Sequence, residues 1–161
     1  ILSVVKHFPG QGATAGDSHD GAVSTDKSLD DLLANELVPF QQAVNNGASF
    51  VMVGHISAPA VTGDDTPASL SSVMVTDVLR NQLGFHGVVI TDAMNMGAVT
   101  GTYSSADAAV TAIQAGVDMI LMPDDFQSAY QGVMDAVAGG TITEDRINES
   151  VARIIKVKLT M

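Results

Sequence analysis

Short apolar runs alternate with stretches of helical spacing along the whole chain, and glycine or proline punctuates almost every change. The first run, Ile1-Leu2-Ser3-Val4-Val5, predicts a strand buried on both faces, with Lys6 and His7 just where it ends. Pro9, Gly10, Gly12 and Gly16 rule out a simple helix and predict an irregular loop that carries Asp17 and His19 at its far end. Leu29 to Val38 has helical spacing, with Ser28 as N-cap. Pro39 should kink that helix before it runs on through Phe40 and Val44 to a stop at Asn46-Gly47.

The plan then repeats. Ser49 to Gly54 reads as a strand ending at His55. A polar loop leads to Ser71, which caps a helix from Val73 to Leu83, and Gly84 closes it. Gly87 to Thr91 predicts a third strand with Asp92 at its end, followed by an Ala-rich helix from about Ala106 to Ala115. The fourth strand, Asp118 to Met122, stops at Pro123-Asp124-Asp125 and leads into a helix from about Gln127 to Ala138. Thr143 caps a last helix whose first turn holds Glu144 and Asp145 and whose end holds Lys156 and Lys158, matching the helix dipole.

Strands that are apolar throughout, each followed by a helix, predict a parallel α/β sheet. Lys6/His7, His55, Asp92 and Pro123/Asp124 all fall at the carboxyl ends of those strands, where α/β barrels and open α/β sheets place their chemistry. Four units cannot close an eight-stranded barrel, so the chain is either an open sheet or half a barrel. An opening residue already inside a core strand further suggests that the 161-residue chain is the tail of something longer.

Composition narrows the partners. Seven Lys+Arg against 18 Asp+Glu give a net charge of −11, which excludes nucleic acid and anionic membrane surfaces as main partners. With no cysteine there is no disulfide framework and no thiolate metal site, and the composition suits export as well as the cytosol.

Position alone allows Asp92 to be a helix-capping residue or a nucleophilic carboxylate able to form a covalent glycosyl intermediate. Asp17 and His19, two apart, are either a solvated loop or an imidazole whose tautomer an aspartate fixes for proton transfer. Metal binding by His7, Asp17, His19 and Asp20 matches no strong spacing. Lys6 and His7 either pair structurally or donate hydrogen bonds to a polyol or anion. His55 has the same geometry, whereas His86 precedes a strand, where stability roles predominate. Met94 and Met96 read as wall or core packing, with a substrate-facing Met94 the lesser alternative. The run Gly10-Gln11-Gly12-Ala13-Thr14-Ala15 fits a dinucleotide fingerprint, but the sequence after it is poor helix and acidic, which argues against nucleotide binding.

Lys6-His7-Phe8-Pro9-Gly10-x-Gly12, four residues, then Asp17-Ser18-His19 resembles the signature of glycoside hydrolase family 3 in its β-N-acetylglucosaminidase branch. Pro67 to Ser71, Leu83 to Val89, Thr91 to Ala98 and Arg146 to Val151 add to the resemblance, which covers nearly the whole chain. It implies a (β/α)8 TIM barrel of which this chain is the second half, strands five to eight. It implies Asp92 as nucleophile, His19 as acid/base and Asp17 as the group that orients His19. Lys6 and His7, with His55 and Met94, would contact the sugar. Gln11 stands where His is common. The absent first half-barrel would supply further sugar-binding groups, and without it the sheet edges would lie open.

The function expected from this resemblance is retaining, exo-acting removal of terminal β-linked N-acetylhexosamine from cell-wall or chitin-type saccharides, with no cofactor. The partner expected besides the amino-sugar substrate is the missing half-barrel. Two rivals are phosphorolysis, since a histidine acid/base does not repel phosphate as a carboxylate would, and a non-catalytic carbohydrate-binding half-barrel.

Overall fold

The computed structural model describes residues 2–14 and 21–160. Asp17, Ser18, His19 and Asp20, and with them the expected acid/base pair, lie outside the described residues. Strands β1 (Val4–Phe8), β3 (Phe50–Val53), β5 (Val88–Ala93) and β6 (Met119–Leu121) form one parallel sheet in the order β1-β3-β5-β6. Each strand lies beside the one before it in that series, the right arrangement for an arc of a (β/α) barrel. A second, two-stranded parallel pair joins β2 (Val23–Ser24) to β4 (Ile56–Ser57).

Local chemistry sets the helix boundaries. Helix α1 (Leu29–Ala34) begins at Ser28, whose hydroxyl accepts the Asp31 N–H while the Asp31 carboxylate takes the Ser28 N–H, a complete capping box. The chain breaks at 35–37 and resumes as α2 (Val38–Asn45), with Pro39 in the first turn where its missing N–H is harmless. A one-turn helix, α3 (Pro59–Thr62), precedes a segment from Val73 to Gln82 wound as a π-helix; Ser72 stands at its cap, and the Ser71 hydroxyl accepts the Met74 N–H at 3.4 Å. The short α4 (Gly97–Thr100) was not expected. Helices α5 (Ser105–Ala115), α6 (Phe126–Ala138) and α7 (Glu144–Lys158) match the sequence, each with a hydroxyl or carboxylate cap from Ser104, Asp125 or Thr143. Gly116 ends α5 at φ 112°, where a Cβ would meet the Thr76 hydroxyl at 2.6 Å.

The core packs the sheet against these helices. Phe8, Val51, Val53 and Val89 from the strands meet Leu32, Phe40, Met74, Val75 and Leu79 from the helices, all under 5% exposed. Phe8 and Phe40 pack edge to face, with centroids 5.4 Å apart.

Two expectations about β1 change. The strand starts at Val4 and runs through Lys6 and His7 rather than ending before them. It is also an edge strand, so Val4 is 42% exposed instead of buried on both faces; among the described residues no strand pairs with its outer side. The Val4↔Phe50 and Val5↔Val51 pairings give way to Phe8↔Val53, so Lys6 and His7 together oppose Met52 alone. A second bulge of the same kind separates Ile90↔Met119 from Ala93↔Leu121, leaving Thr91 and Asp92 opposite Ile120.

The amino-terminal end of the sheet is held by Asp118, whose carboxylate is fully buried. Its Oδ2 accepts from Arg80 Nη2 at 2.7 Å and from the Val89 N–H at 2.9 Å. Its Oδ1 accepts from the Ser150 hydroxyl at 2.7 Å and Arg153 Nη1 at 3.0 Å. Arg146 completes the cluster by donating to the carbonyls of Ile113 and Val117 and to Ser150. Burial pulls the Arg80 and Arg146 guanidiniums below their ordinary pKa, and Asp118 opposes that shift. One carboxylate thus ties the π-helix, β5, the start of β6 and α7 together. Asp118→Ala in the full-length protein should lower unfolding free energy by roughly 3–5 kcal/mol, because it strands buried cations. Denaturant titration checks this, and a loss below about 1 kcal/mol, the range of an exposed pair, would contradict it.

Candidate active site

The two bulges act on the residues that the sequence singles out. Extra residues in β1 and β5 turn the chain at Lys6-His7 and at Thr91-Asp92, on strands that flank β3 on either side. His7 Nε2 comes to 3.6 Å from Asp92 Oδ2, both side chains being partly buried. The opposite oxygen, Asp92 Oδ1, accepts the Ala93 N–H at 2.8 Å. Between them, directly after β3, lies Gly54, whose amide donates to the Phe8 carbonyl at 2.8 Å. A Cβ on Gly54 would stand 3.3 Å from that of His7, so the absent side chain leaves the imidazole its room.

Thr91 keeps the ladder intact at the second bulge. Its buried hydroxyl accepts the Leu121 N–H at 3.0 Å, while the Met94 N–H reaches the Leu121 carbonyl at 2.9 Å. A valine of the same shape would leave the Leu121 amide unpaired beside the carboxylate.

The other expected site residues are placed differently. Lys6 is exposed on the edge strand. His55 is 1% exposed, with Nδ1 2.7 Å from the Ser69 hydroxyl and Nε2 3.0 Å from the Ala93 carbonyl. Met94 is 3% exposed and belongs to the apolar core. Met94 is enclosed by the core, and hydrogen bonds occupy both ring nitrogens of His55, although that residue lines a cavity with Ser57 and Tyr103. Burial also pulls the His55 pKa below its ordinary value; the nearby Asp92 opposes that and His7 adds to it. His86 precedes β5 and lines a cavity of about 280 Å³ with Arg153 and Lys156.

The described residues on either side of positions 15–20 meet at one residue the sequence did not flag, Glu36. Gly10, at φ 132°, lies so close to Glu36 that an added Cβ would stand 2.8 Å from the Glu36 Cβ. Lys27, on the returning side, pairs with Glu36 Oε1 at 2.5 Å. The strand pair β2/β4 reinforces this return, with the Thr25 N–H donating to the Ser57 carbonyl at 2.9 Å. The available signal was a glutamate set among Leu32, Leu33 and Leu37, in what the structure shows to be the break between α1 and α2. Beside His55 a cavity of about 340 Å³ opens, lined by Ala22, Ser57, Asp65, Thr66 and Tyr103 among others, a mixture of hydroxyls, carboxylate and one aromatic ring.

Chemically, the centre offers a carboxylate with one oxygen held by a backbone amide and the other turned toward an imidazole, at the carboxyl end of a parallel sheet. Such a carboxylate is held in a fixed orientation. Among the described residues, no three His, Asp or Glu side chains converge as a metal site.

Known proteins resemble this chain closely in overall fold and sequence. A solved family 3 β-N-acetylglucosaminidase from Paenibacillus superposes with a TM-score of 0.96 at 38% identity, over 99% of this chain and 31% of that one. A β-hexosaminidase of Mycobacterium tuberculosis is 35% identical over 166 residues, 98% of this chain and 42% of the relative. A β-glucoside phosphorylase bound to 2FGlc superposes with a TM-score of 0.90 at 29% identity, over 96% of this chain and 29% of that one. The chain therefore spans well under half the length of these relatives. Residues 1–157 match the model of the glycosyl hydrolase family 3 N-terminal domain, a TIM barrel of which this parallel sheet is a segment, and the chain belongs to that family.

Proposed function

We propose that the protein containing this chain is a retaining, exo-acting β-N-acetylhexosaminidase for small amino-sugar glycosides of cell-wall or chitin type. The observation that carries this reading is the Asp92 carboxylate, with Oδ1 held by the Ala93 amide and Oδ2 left toward His7. In the proposed first step Asp92 attacks the anomeric carbon, the bond to the leaving oxygen breaks, and His19 gives that oxygen its proton. A glycosyl-Asp92 ester results. In the second step His19 takes a proton from water, water attacks the same carbon, and the ester bond breaks with the original configuration restored. Asp17 orients His19 and stabilises its charged form, while Lys6 and His7 donate to the sugar hydroxyls.

A complete sugar pocket would need the rest of the barrel. This chain supplies strands five to eight in the proposal, and an amino-terminal half supplies strands one to four. Three features support that partner. Strands β1 and β6 stand at the two edges of the sheet. On α6 an apolar stripe of Phe126, Tyr130 and Met134 is 69%, 58% and 49% exposed. The relatives are also two to three times longer than the chain.

A second reading, phosphorolysis, is favoured by the likeness to the β-glucoside phosphorylase. Turnover of a chromogenic β-N-acetylglucosaminide by the full-length protein, followed by proton NMR, separates the readings. Hydrolysis gives the free β-anomer first, with or without phosphate. Phosphorolysis gives the sugar 1-phosphate and slows without phosphate. A non-catalytic half-barrel gives neither.

Asp92→Asn should reduce kcat at least about 10³-fold with little change in KM, since it removes an interaction made in the transition state. Loss of KM alone would contradict the assignment. His19→Ala should slow glycosides with poor leaving groups far more than dinitrophenyl glycosides, which leave without a proton. Equal losses on both would remove His19 from the acid role.

A further inference from the structure

We propose that Ser69 and His55 form a relay that sets the Asp92 carboxylate in place through the Ala93 peptide, both acting as positioning residues. The inference rests on the reading of Asp92 as the reacting carboxylate. Its first step is forced by chemistry. A carbonyl can only accept, so at 3.0 Å from the Ala93 oxygen His55 Nε2 must carry the proton. In the neutral ring Nδ1 is then bare, and at 2.7 Å the Ser69 hydroxyl must donate to it.

The direction of every bond in the chain is thereby fixed: Ser69 O–H to His55 Nδ1, His55 Nε2–H to the Ala93 carbonyl, and the Ala93 N–H to Asp92 Oδ1. The peptide that holds one oxygen of the nucleophile is itself held from behind. Oδ2 is left as the oxygen for attack, on the His7 side.

Burial is what makes the relay rigid. Ser69 is fully buried in the turn Ala68–Leu70, and His55 is 1% exposed. Neither ring nitrogen therefore exchanges its partner for water without local opening. The opposite tautomer would set a bare Nε2 against a carbonyl and a second donor against Ser69. Ser69 thus acts as the tautomer selector, a role that the Pro67-Ala68-Ser69-Leu70-Ser71 stretch did not reveal by itself. Asp92 on β5 and His7 on β1 are the charged or titratable groups that act on the ring, with Asp65 lining the cavity beside it. Burial outweighs the opposing pull of the Ala93 carbonyl and Asp92 and lowers the ring's pKa, which favours the neutral form.

The experiment combines a tautomer measurement with kinetics on the full-length protein. Nitrogen-15 NMR of histidine-labelled wild type, with His55 assigned by its loss in His55→Gln, should show a bare Nδ1 and a protonated Nε2. That state should persist as pH falls through 6.5, where an ordinary histidine titrates. A protonated Nδ1, or an imidazolium formed near 6.5, would overturn the proposal. Ser69→Ala should lower kcat on the order of 10- to 100-fold with KM within about threefold, the range expected when a reacting group is slightly misplaced. His55→Gln, whose amide can still donate to the Ala93 carbonyl, should retain more kcat than His55→Leu. Wild-type kcat in Ser69→Ala, or equal losses in the two His55 variants, would overturn the relay. Absence of turnover in the wild type would instead sink the hydrolase reading and leave the tautomer result standing.

Discussion

A parallel ladder has no place for an extra residue, and this chain inserts one twice, in β1 beside Met52 and in β5 beside Ile120. Each insertion turns a dipeptide out of the regular alternation of faces, and the two dipeptides are Lys6-His7 and Thr91-Asp92. The 3.6 Å approach of His7 to Asp92 across β3 follows from those two turns together with the empty position at Gly54. Side chains then repair what the bulges disturb. The Thr91 hydroxyl takes the Leu121 amide, and the Ala93 amide takes the Asp92 carboxylate. Repair and chemistry are thus done by neighbouring residues of one short stretch.

Such a site needs a sheet that does not yield, and the opposite end of the strands supplies it. Asp118 gathers Arg80, Arg153 and Ser150 and the Val89 amide onto one buried carboxylate, so β5 and β6 are locked together before they diverge at the bulge. Replacement of such a cluster by apolar groups is often tolerated in other proteins, whereas removal of one member is not. Here the cluster also holds β5 directly: the amide it captures belongs to Val89, three residues before Asp92. Stability and chemistry occupy opposite ends of the same strands, as in other βα architectures.

Much of this was legible in the sequence. Helix starts at Ser28 and Thr143 and the helix end at Gly116 follow from local capping chemistry, which needs only a few residues to declare itself. The placement of His7, His55 and Asp92 in or beside the carboxyl-terminal turns of the strands followed from apolar runs of strand length, although β1 and β5 run on through His7 and Asp92. The bulges were not legible, because a one-residue slip depends on the partner strand. The pair β2/β4 was not legible either, since two-residue strands carry no periodicity. Burial of β1 on both faces was expected from its apolar run, yet that run ends on an open edge. Asp118 heads an apolar strand and was passed over as its polar start. A buried charge needs partners, and those come from Arg80, Arg146 and Arg153, at 28 to 38 residues' separation, which no local pattern records. His55 falls at the strand end that the sequence predicts, but sequence does not say that Ser69 folds back onto it.

The central claim is that Asp92 is the nucleophile, and covalent trapping tests it most directly. A 5-fluoro derivative of N-acetylglucosaminyl fluoride destabilises the oxocarbenium-like transition states of both steps, while its fluoride leaving group lets the first proceed. Peptide mass spectrometry of the inactivated full-length protein should then locate one sugar on the peptide containing Asp92, with no adduct in Asp92→Asn. An adduct on another carboxylate, or steady turnover with inverted product and no adduct, would contradict the account.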